Sequence, residues 1–250
     1  MKKNRVITMI LSLSLLASFS PVAANANSSL QGTNDDYGVF STVPDKEELE
    51  RQQQYKLDPP TAWEVDLNGN KRIVPYTVLN KKGGIGTNSW SDSNYTYVFN
   101  GWTLNSTKVD KKRFFVSRVT VENNSTGLLP LKYVQQESVT TKWEVGANIE
   151  AEAQFKVAFL ASLKTKLGGS YNYSKTTMSS TTVEAGPKDI PAGYKASYTK
   201  YRAGGYGAGQ AEWKKYPKGS SSWVGMHYTG ESGWAVNEND VTIEYTESKI

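Results

Sequence analysis

The chain has 250 residues, 38% hydrophobic, 12% aromatic and 21% charged, with a formal net charge of +5, no cysteine and 1 histidine. With 7 Trp, 15 Tyr and 7 Phe it is far too aromatic for a disordered chain, and its length suits one or two globular domains. Without cysteine there is no disulfide framework, thiolate zinc site, iron–sulfur cluster or cysteine nucleophile, and the lone His227 argues against a multi-histidine metal site or a histidine-dependent triad.

Residues 1–26 are expected to be a secretory signal peptide. Lys2, Lys3 and Arg5 form a positive start, Val6 to Leu16 an apolar stretch too short to span a bilayer, and Ala24-Asn25-Ala26 a small-residue cleavage site. Its removal takes away three bases and no acid, which leaves the remainder close to neutral, without the clustered excess base of a nucleic-acid binder. The predicted product is secreted, released into the extracellular space after cleavage near Ala26.

Residues 27–62 read as a polar leader with one short surface helix. Asp45 is placed to cap it, with Glu48 three residues on, and Asp58-Pro59-Pro60 ends the segment. From Trp63 to residue 250 the pattern is all-β. Asn68-Gly69 and Asn100-Gly101 each sit between β-formers and predict hairpin turns. Phe114 to Val121 predicts a strand ended by Asn123-Asn124, and Val241 to Tyr245 predicts a last one. No fixed-period repeat and no alternation of strands with helices is visible, so the expected fold is antiparallel β.

Three stretches imitate chemical sites. Asp66 to Asn70 begins like a calcium loop, but Lys71 and Thr77 stand where an EF-hand needs Gly and Glu, so a hairpin turn is expected. Gly204 to Gly209 lacks the Lys-Ser/Thr of a phosphate cradle and reads as a flexible loop. His227 lies among aromatics and reads as a structural residue. No catalytic residue, metal ligand or cofactor is assigned, and a non-enzymatic role is expected.

Residues 139–167 carry the most information. Odd positions, including Ala147, Ile149, Ala151, Ala153, Phe155, Val157, Phe159, Leu163 and Leu167, are apolar or small. Even positions, including Glu150, Glu152, Gln154, Lys156, Lys164 and Lys166, are mostly charged or polar, with Ala158 and Leu160 as apolar exceptions. Alternation of this length exceeds an ordinary strand of ~5–6 residues. Ala147–Val157 and Ala161–Tyr171 would each suffice for a lipid-spanning strand of ~9–11 residues, with Leu160 beside the turn. A turn centred on Phe159 would set Phe155 against Leu163 and Glu152 against Lys166. Two other readings fit the same residues. Ala, Glu, Leu and Lys favour helix, and Phe155, Phe159, Leu163 and Leu167 recur every four residues. A two-sheet sandwich also alternates, burying its apolar face permanently.

Ser/Thr-rich runs flank the segment, Ser138 to Thr141 before it and Ser170 to Thr182 after it. With Val121 to Ser125, Tyr133 to Thr141, Gly169 to Thr177 and Ile190 to Ala196, the region from Val119 to about Tyr201 resembles the epsilon-toxin/mosquitocidal-toxin branch of aerolysin-like β-pore-forming proteins. The resemblance lies in the order of strand, Ser/Thr-rich strand, insertion hairpin, Ser/Thr-rich strand and Pro-x-Gly turn. It implies an elongated aerolysin-like sheet or sandwich, a toxin that assembles as a homo-oligomer on membranes, and an insertion hairpin over about 146–170 that closes a β-barrel. The apolar residues would face lipid and Glu150, Glu152, Gln154, Lys156, Lys164 and Lys166 the lumen. Trp223, Tyr228 and Trp234 would engage a lipid membrane or cell-surface glycan. Residues 27–110 and 201–234 match nothing in that family's pattern. The alternative is a secreted β-sandwich binding module for polysaccharide or cell wall, stacking sugars on Tyr198, Tyr201, Tyr206, Trp213, Tyr216 and Trp223. A weaker third reading is a hydrolase working with a carboxylate pair, although no pair stands out.

Overall fold

A computed structural model describes residues 38–77, 89–135, 147–151, 153–171 and 183–250; of Gln135, Ala147 and Val183 it describes the backbone alone. Residues 1–26, read above as a signal peptide, Glu152 and most of the Ser/Thr-rich flanks lie outside those residues. In chain order the elements are β1 (Val39–Ser41), α1 (Lys46–Gln52), β2 (Thr61–Asp66), β3 (Lys71–Ile73), β4 (Ser89–Ser91), β5 (Tyr95–Asn123), β6 (Leu129–Gln135), α2 (Ala147–Ala151), α3 (Ala153–Leu167), β7 (Val183–Ile190), β8 (Tyr194–Pro217) and β9 (Gly225–Lys249). The fold is mostly antiparallel β.

Seven strands form one sheet in the order β1-β5-β8-β9-β2-β3, with β4 beside β5, and β6 pairs with β7 in a second, two-stranded sheet. The long strands β5, β8 and β9 run the length of the main sheet. One end carries the turns at 67–70, 92–94 and 218–224, held together by pairing of Asp66 with Gly225 and by the Lys218 N–H donating to the Asn94 carbonyl at 2.9 Å. At the other end Asn123 pairs with Tyr194 and Tyr194 with Lys249.

The local signals explain most boundaries. Asp45 caps α1 by accepting from the Glu48 N–H at 2.9 Å. Asn68-Gly69 closes the β2–β3 hairpin, with Gly69 at φ 86°. Pro191 to Gly193 turns β7 into β8, and Gly193 takes φ 76°. Asn100-Gly101 does not close a hairpin. β5 runs straight through it with a bulge between Phe99 and Gly101, because β8 offers one continuous partner along its length.

Two further expectations are corrected. Gly204 to Gly209 is not a loop but the middle of the central strand β8. Residues 147–151 and 153–167 do not form a hairpin: Ala147, Ile149, Ala151, Ala153, Phe155, Val157, Phe159, Leu160, Leu163 and Leu167 are all helical. A helix puts Phe155, Phe159 and Leu163 on one face, whereas a hairpin with its turn at Phe159 would need a second surface to cover each arm. The sheet supplies one such surface, a floor of aromatic side chains, and the four-residue spacing is the one that fits it.

That floor is the main core. Phe155 packs against Phe99 at 5.5 Å, Trp102 at 5.0 Å and Trp213 at 6.2 Å between ring centroids, and Phe159 meets Trp102 at 5.9 Å. Phe155, Phe159, Leu163 and Trp213 are fully buried. Gly205, Gly207 and Gly209 clear the space: a Cβ on Gly207 would lie 3.0 Å from Leu163 and 3.1 Å from Phe159, and one on Gly205 would meet Tyr171 at 2.5 Å. Strand alternation turns Tyr206 to the opposite face, where it packs on Trp234 and, with Tyr55, is covered by the chain from α1 to β2. A second cluster, Val119, Val121, Leu131, Tyr133, Ile190, Ala196 and Tyr198, fixes the β6–β7 pair to the sheet.

Full burial of each large apolar side chain stabilises the fold by roughly 1.5–3 kcal/mol before packing terms. Trp213→Ala should therefore lower stability by about 3–5 kcal/mol, read as a reduced denaturant midpoint with unchanged slope.

Candidate functional site

The helical segment occupies the connection between the two strands of the β6–β7 pair. β6 starts at the Asn123 end of the sheet, where the Asn123 amide donates to the Ile190 carbonyl at 2.7 Å. By Tyr133 it has reached Ser117, with 2.6 Å between the two hydroxyls. β6 thus heads toward the end that carries the three turns. It pairs with β7 as Leu129↔Ile190 to Leu131↔Lys188, and past a register shift between Leu131 and Tyr133 the pairing reads Tyr133↔Ala185, Val134↔Glu184 and Gln135↔Val183, symmetric about residue 159.

Each predicted side chain can now be placed. Ile149, Phe155, Phe159, Leu160 and Leu163 are buried against the sheet, and Ala151 and Leu167 are half-buried. Ala153, Gln154, Val157, Lys164 and Lys166 are exposed, and Glu150 and Lys156 are half-buried. The predicted lumen and lipid faces are therefore not separate faces here; the helix sorts residues by a different period. Ala147 and Glu152 have side chains outside the described residues.

Polar contacts also fasten the segment. The Trp102 indole N–H donates to Ser162 Oγ at 3.1 Å, holding the middle of α3 to β5. At the start of α2, Asn148 Nδ2 donates to Glu231 Oε1 at 2.9 Å and to the Thr77 carbonyl at 3.3 Å, while the Tyr76 hydroxyl donates to the same Glu231 oxygen at 2.8 Å. Glu231 projects from β9 opposite Gly209 and is 4% exposed. Burial raises its carboxyl to about 7, although the donors Tyr76, Asn148 and Thr229 pull the other way. Nothing local in the sequence points to this contact, because its partners come from three distant parts of the chain.

A second buried polar group lies near the turn-bearing end. Lys215 Nζ donates to both Glu64 oxygens, at 2.8 and 2.9 Å, and Arg72 bonds the same carboxylate from the neighbouring strand. The Lys215 ammonium also sits 4.0 Å from the centre of the Tyr95 ring. The bonds from Lys215 and Arg72 outweigh desolvation and hold Glu64 below the usual carboxylate range. His227 pairs across the ladder with Glu64 and is 3% exposed; neither ring nitrogen makes a hydrogen bond. Burial pushes its pKa down against the attraction of Glu64. Its Nδ1 lies 3.5 Å from Glu64 Oε1, and the ring packs edge-on against Trp90 and Tyr97.

The predicted surface aromatics divide. Trp223 is 42% exposed in the 218–224 turn, next to Val224 and near Leu67 in the 67–70 turn, both also exposed. Tyr228 is half-buried and stacks on Trp63 with centroids 5.4 Å apart and planes at 6°. Trp234 is fully buried beneath Tyr55 and Tyr206, because at position 234 β9 faces the covered side of the sheet. Of the aromatics that a sugar-stacking surface would use, Tyr198, Tyr201, Tyr206 and Trp213 are buried, Tyr216 is half-buried and Trp223 alone is exposed.

No family model matches the chain, and no curated protein matches it. Among solved structures it is similar to one described as a putative pore-forming toxin from Bacteroides vulgatus, at 9% identity over 78% of this chain and 75% of that one. The TM-score is 0.19, at which the two folds are not equated.

Breaking the buried ion pair gives a direct test of its structural role. Glu64→Gln strips Lys215 of its counter-charge and should cost about 3–5 kcal/mol of stability. In acid two buried groups act in the same direction, against Glu231. His227, with its pKa depressed from 6.5, resists the proton that the unfolded chain accepts, so its contribution to stability falls as pH drops below 6.5. Glu64, depressed from 4.5, adds a further loss below 4.5. Glu231, raised to about 7, gains stability over the same range, so denaturant titrations at pH 7, 5.5 and 4 in a Glu231→Gln background should show the loss that the wild type partly masks.

Proposed function

We propose that the protein is a secreted pore-former whose helical segment 147–167 is the stored form of a membrane-inserting β-hairpin. The observation that carries this reading is the β6–β7 register. Continued unchanged into the intervening chain, it pairs Phe155 with Leu163, Val157 with Ala161 and Ala151 with Leu167, with the turn at Phe159. The same register pairs Glu152 with Lys166 and Gln154 with Lys164 on the other face. A ladder set by two strands on the body of the protein thus brings apolar opposite apolar and acid opposite base, over a length that suits a lipid-spanning hairpin.

The direction of β6 is consistent with this. It points toward the end where Leu67, Trp223 and Val224 are exposed, so that one end of the sheet would meet the bilayer and the extending hairpin would enter it there. Among the described residues no helix is long and apolar enough to cross a membrane, and the crossing proposed is by strands. A single hairpin would leave unpaired backbone in lipid, and the reading therefore requires several copies to close a barrel. Docking on the sheet hides Ile149, Phe155, Phe159, Leu160 and Leu163 until that happens. A lipid surface is the proposed partner, and the role is non-enzymatic.

The native chain has no cysteine, so single cysteines can be labelled with a polarity-sensitive dye without background. Ala153, Gln154, Val157, Ala161, Lys164 and Lys166 are exposed in the helix, and replacing them should leave the soluble fold intact. On vesicles that leak trapped dye, labels at 153, 157 and 161 should turn apolar while those at 154, 164 and 166 stay aqueous. A helical period, or no change on leaking vesicles, would reject the hairpin; absence of leakage and of detergent-resistant oligomers would reject the function.

A further inference from the structure

The contact between α2 and β9 has a carboxylic acid at its centre, and its hydrogen-bond partners among the described residues are neutral. Glu231 receives Asn148 from α2, Tyr76 from the chain after β3 and Thr229 from its own strand. The neighbouring Ser232 ties in a further segment, accepting from the Asp58 N–H at 2.9 Å. Asn148 and Ile149 are both fully buried, so the first turn of the helical segment is pinned at this point. We propose that the Glu231 carboxyl is a proton-held latch, which keeps α2 and the α3 that follows it docked while protonated and loosens them when it ionises.

The charge balance around the site sets the direction. Among the described residues the ionisable groups on the surrounding elements include Asp58 before β2, Glu64 on β2, Tyr76, Glu150 on α2, Lys156, Lys164 and Lys166 on α3, Glu212, Lys214 and Lys215 on β8 and His227 on β9. Asp58 is occupied by the Tyr206 hydroxyl at 2.5 Å, and Glu64, Lys215 and His227 form the separate cluster described above. None of them contributes to the raised affinity of Glu231 for its proton, which is a burial effect. Among the described residues Glu231 has neutral donors and no cation, so on ionising there it would give up water for neutral donors alone. Opening α2 returns the group to solvent, where it ionises near 4.5 instead of about 7.

The sign follows from linkage. The docked state binds the proton more tightly than the open one, so docking is strongest below 4.5 and weakens as pH rises toward 7, after which it is level. The latch is therefore locked by acid and released toward neutral and alkaline pH. His227 and Glu64 act in the opposite sense, losing stability in acid, and they contribute to global unfolding alone. Global unfolding therefore has a shallower slope than local release, which carries the Glu231 contribution by itself.

Reading the release as a step toward insertion rests on the proposed function, whereas the latch itself does not. Hydrogen–deuterium exchange of 147–167 in the full soluble protein, corrected for intrinsic rates, tests it between pH 5 and 8. Opening should rise by close to tenfold per unit in the lower part of this range and flatten above 7. Glu231→Gln, which cannot ionise, should make opening independent of pH. Tyr76→Phe removes a donor that favours the ionised form and should move the rise to higher pH. A flat wild-type profile, an unchanged slope in Glu231→Gln, or an unmoved profile in Tyr76→Phe overturns the latch; if Glu231→Gln fails to fold, the wild type and Tyr76→Phe decide. Leakage from neutral-lipid vesicles, measured in parallel, separates the two ideas. A pH-dependent opening without leakage leaves the latch standing and removes the pore, and leakage with flat opening does the reverse.

Discussion

The structure depends on the seating of one apolar helix face in a hollow of the sheet. Gly205, Gly207 and Gly209 lower the floor of β8, and Phe99, Trp102 and Trp213 wall it, so that Phe155, Phe159 and Leu163 are excluded from water. The contact buries the aromatic face of the sheet and the greasy face of the helix together; each without the other would be an exposed apolar patch. Glycine in a central strand weakens it by loss of side-chain packing and by backbone entropy. Here that loss is offset by the close approach of the helix.

Fastening differs in kind along the segment. The middle of α3 is held by non-directional burial and one neutral hydrogen bond from Trp102, neither of which responds to pH. The start of α2 is held by a carboxylic acid whose protonation state matters. The fold thereby has an adjustable fixing at one end of a helix that is otherwise seated by packing. The Glu64–Lys215–Arg72 group near the turns works by the opposite chemistry, full ionic compensation of buried charge, and it belongs to the rigid frame.

Local chemistry was legible wherever a few adjacent residues decide the outcome. Asp45 caps α1, Asn68-Gly69 turns a hairpin and Pro191 to Gly193 turns the chain into β8, each through its own side chain or φ preference. The same kind of signal misled where a long partner strand was present: Asn100-Gly101 became a bulge in β5, and the glycines of 204–209 became the middle of a strand. In both cases ladder hydrogen bonds to β8 or β9 outweigh a turn preference. Burial was legible only as parity. That Trp234 lies inside depends on what covers its face of β9, and that cover comes from residues 46–60, far away in the chain.

By itself the sequence determined that the protein is antiparallel β, that residues 139–167 have one apolar parity, and that these residues also fit a helix, because hydrophobic pattern and helix propensity are properties of neighbours in the chain. Only the tertiary structure decided between the two. The helix is formed because a sheet built from three distant strands presents a hollow with room for one apolar stripe. The β6–β7 register and the Glu231 contact were equally invisible, since each joins residues whose separation along the chain carries no local signal of their meeting.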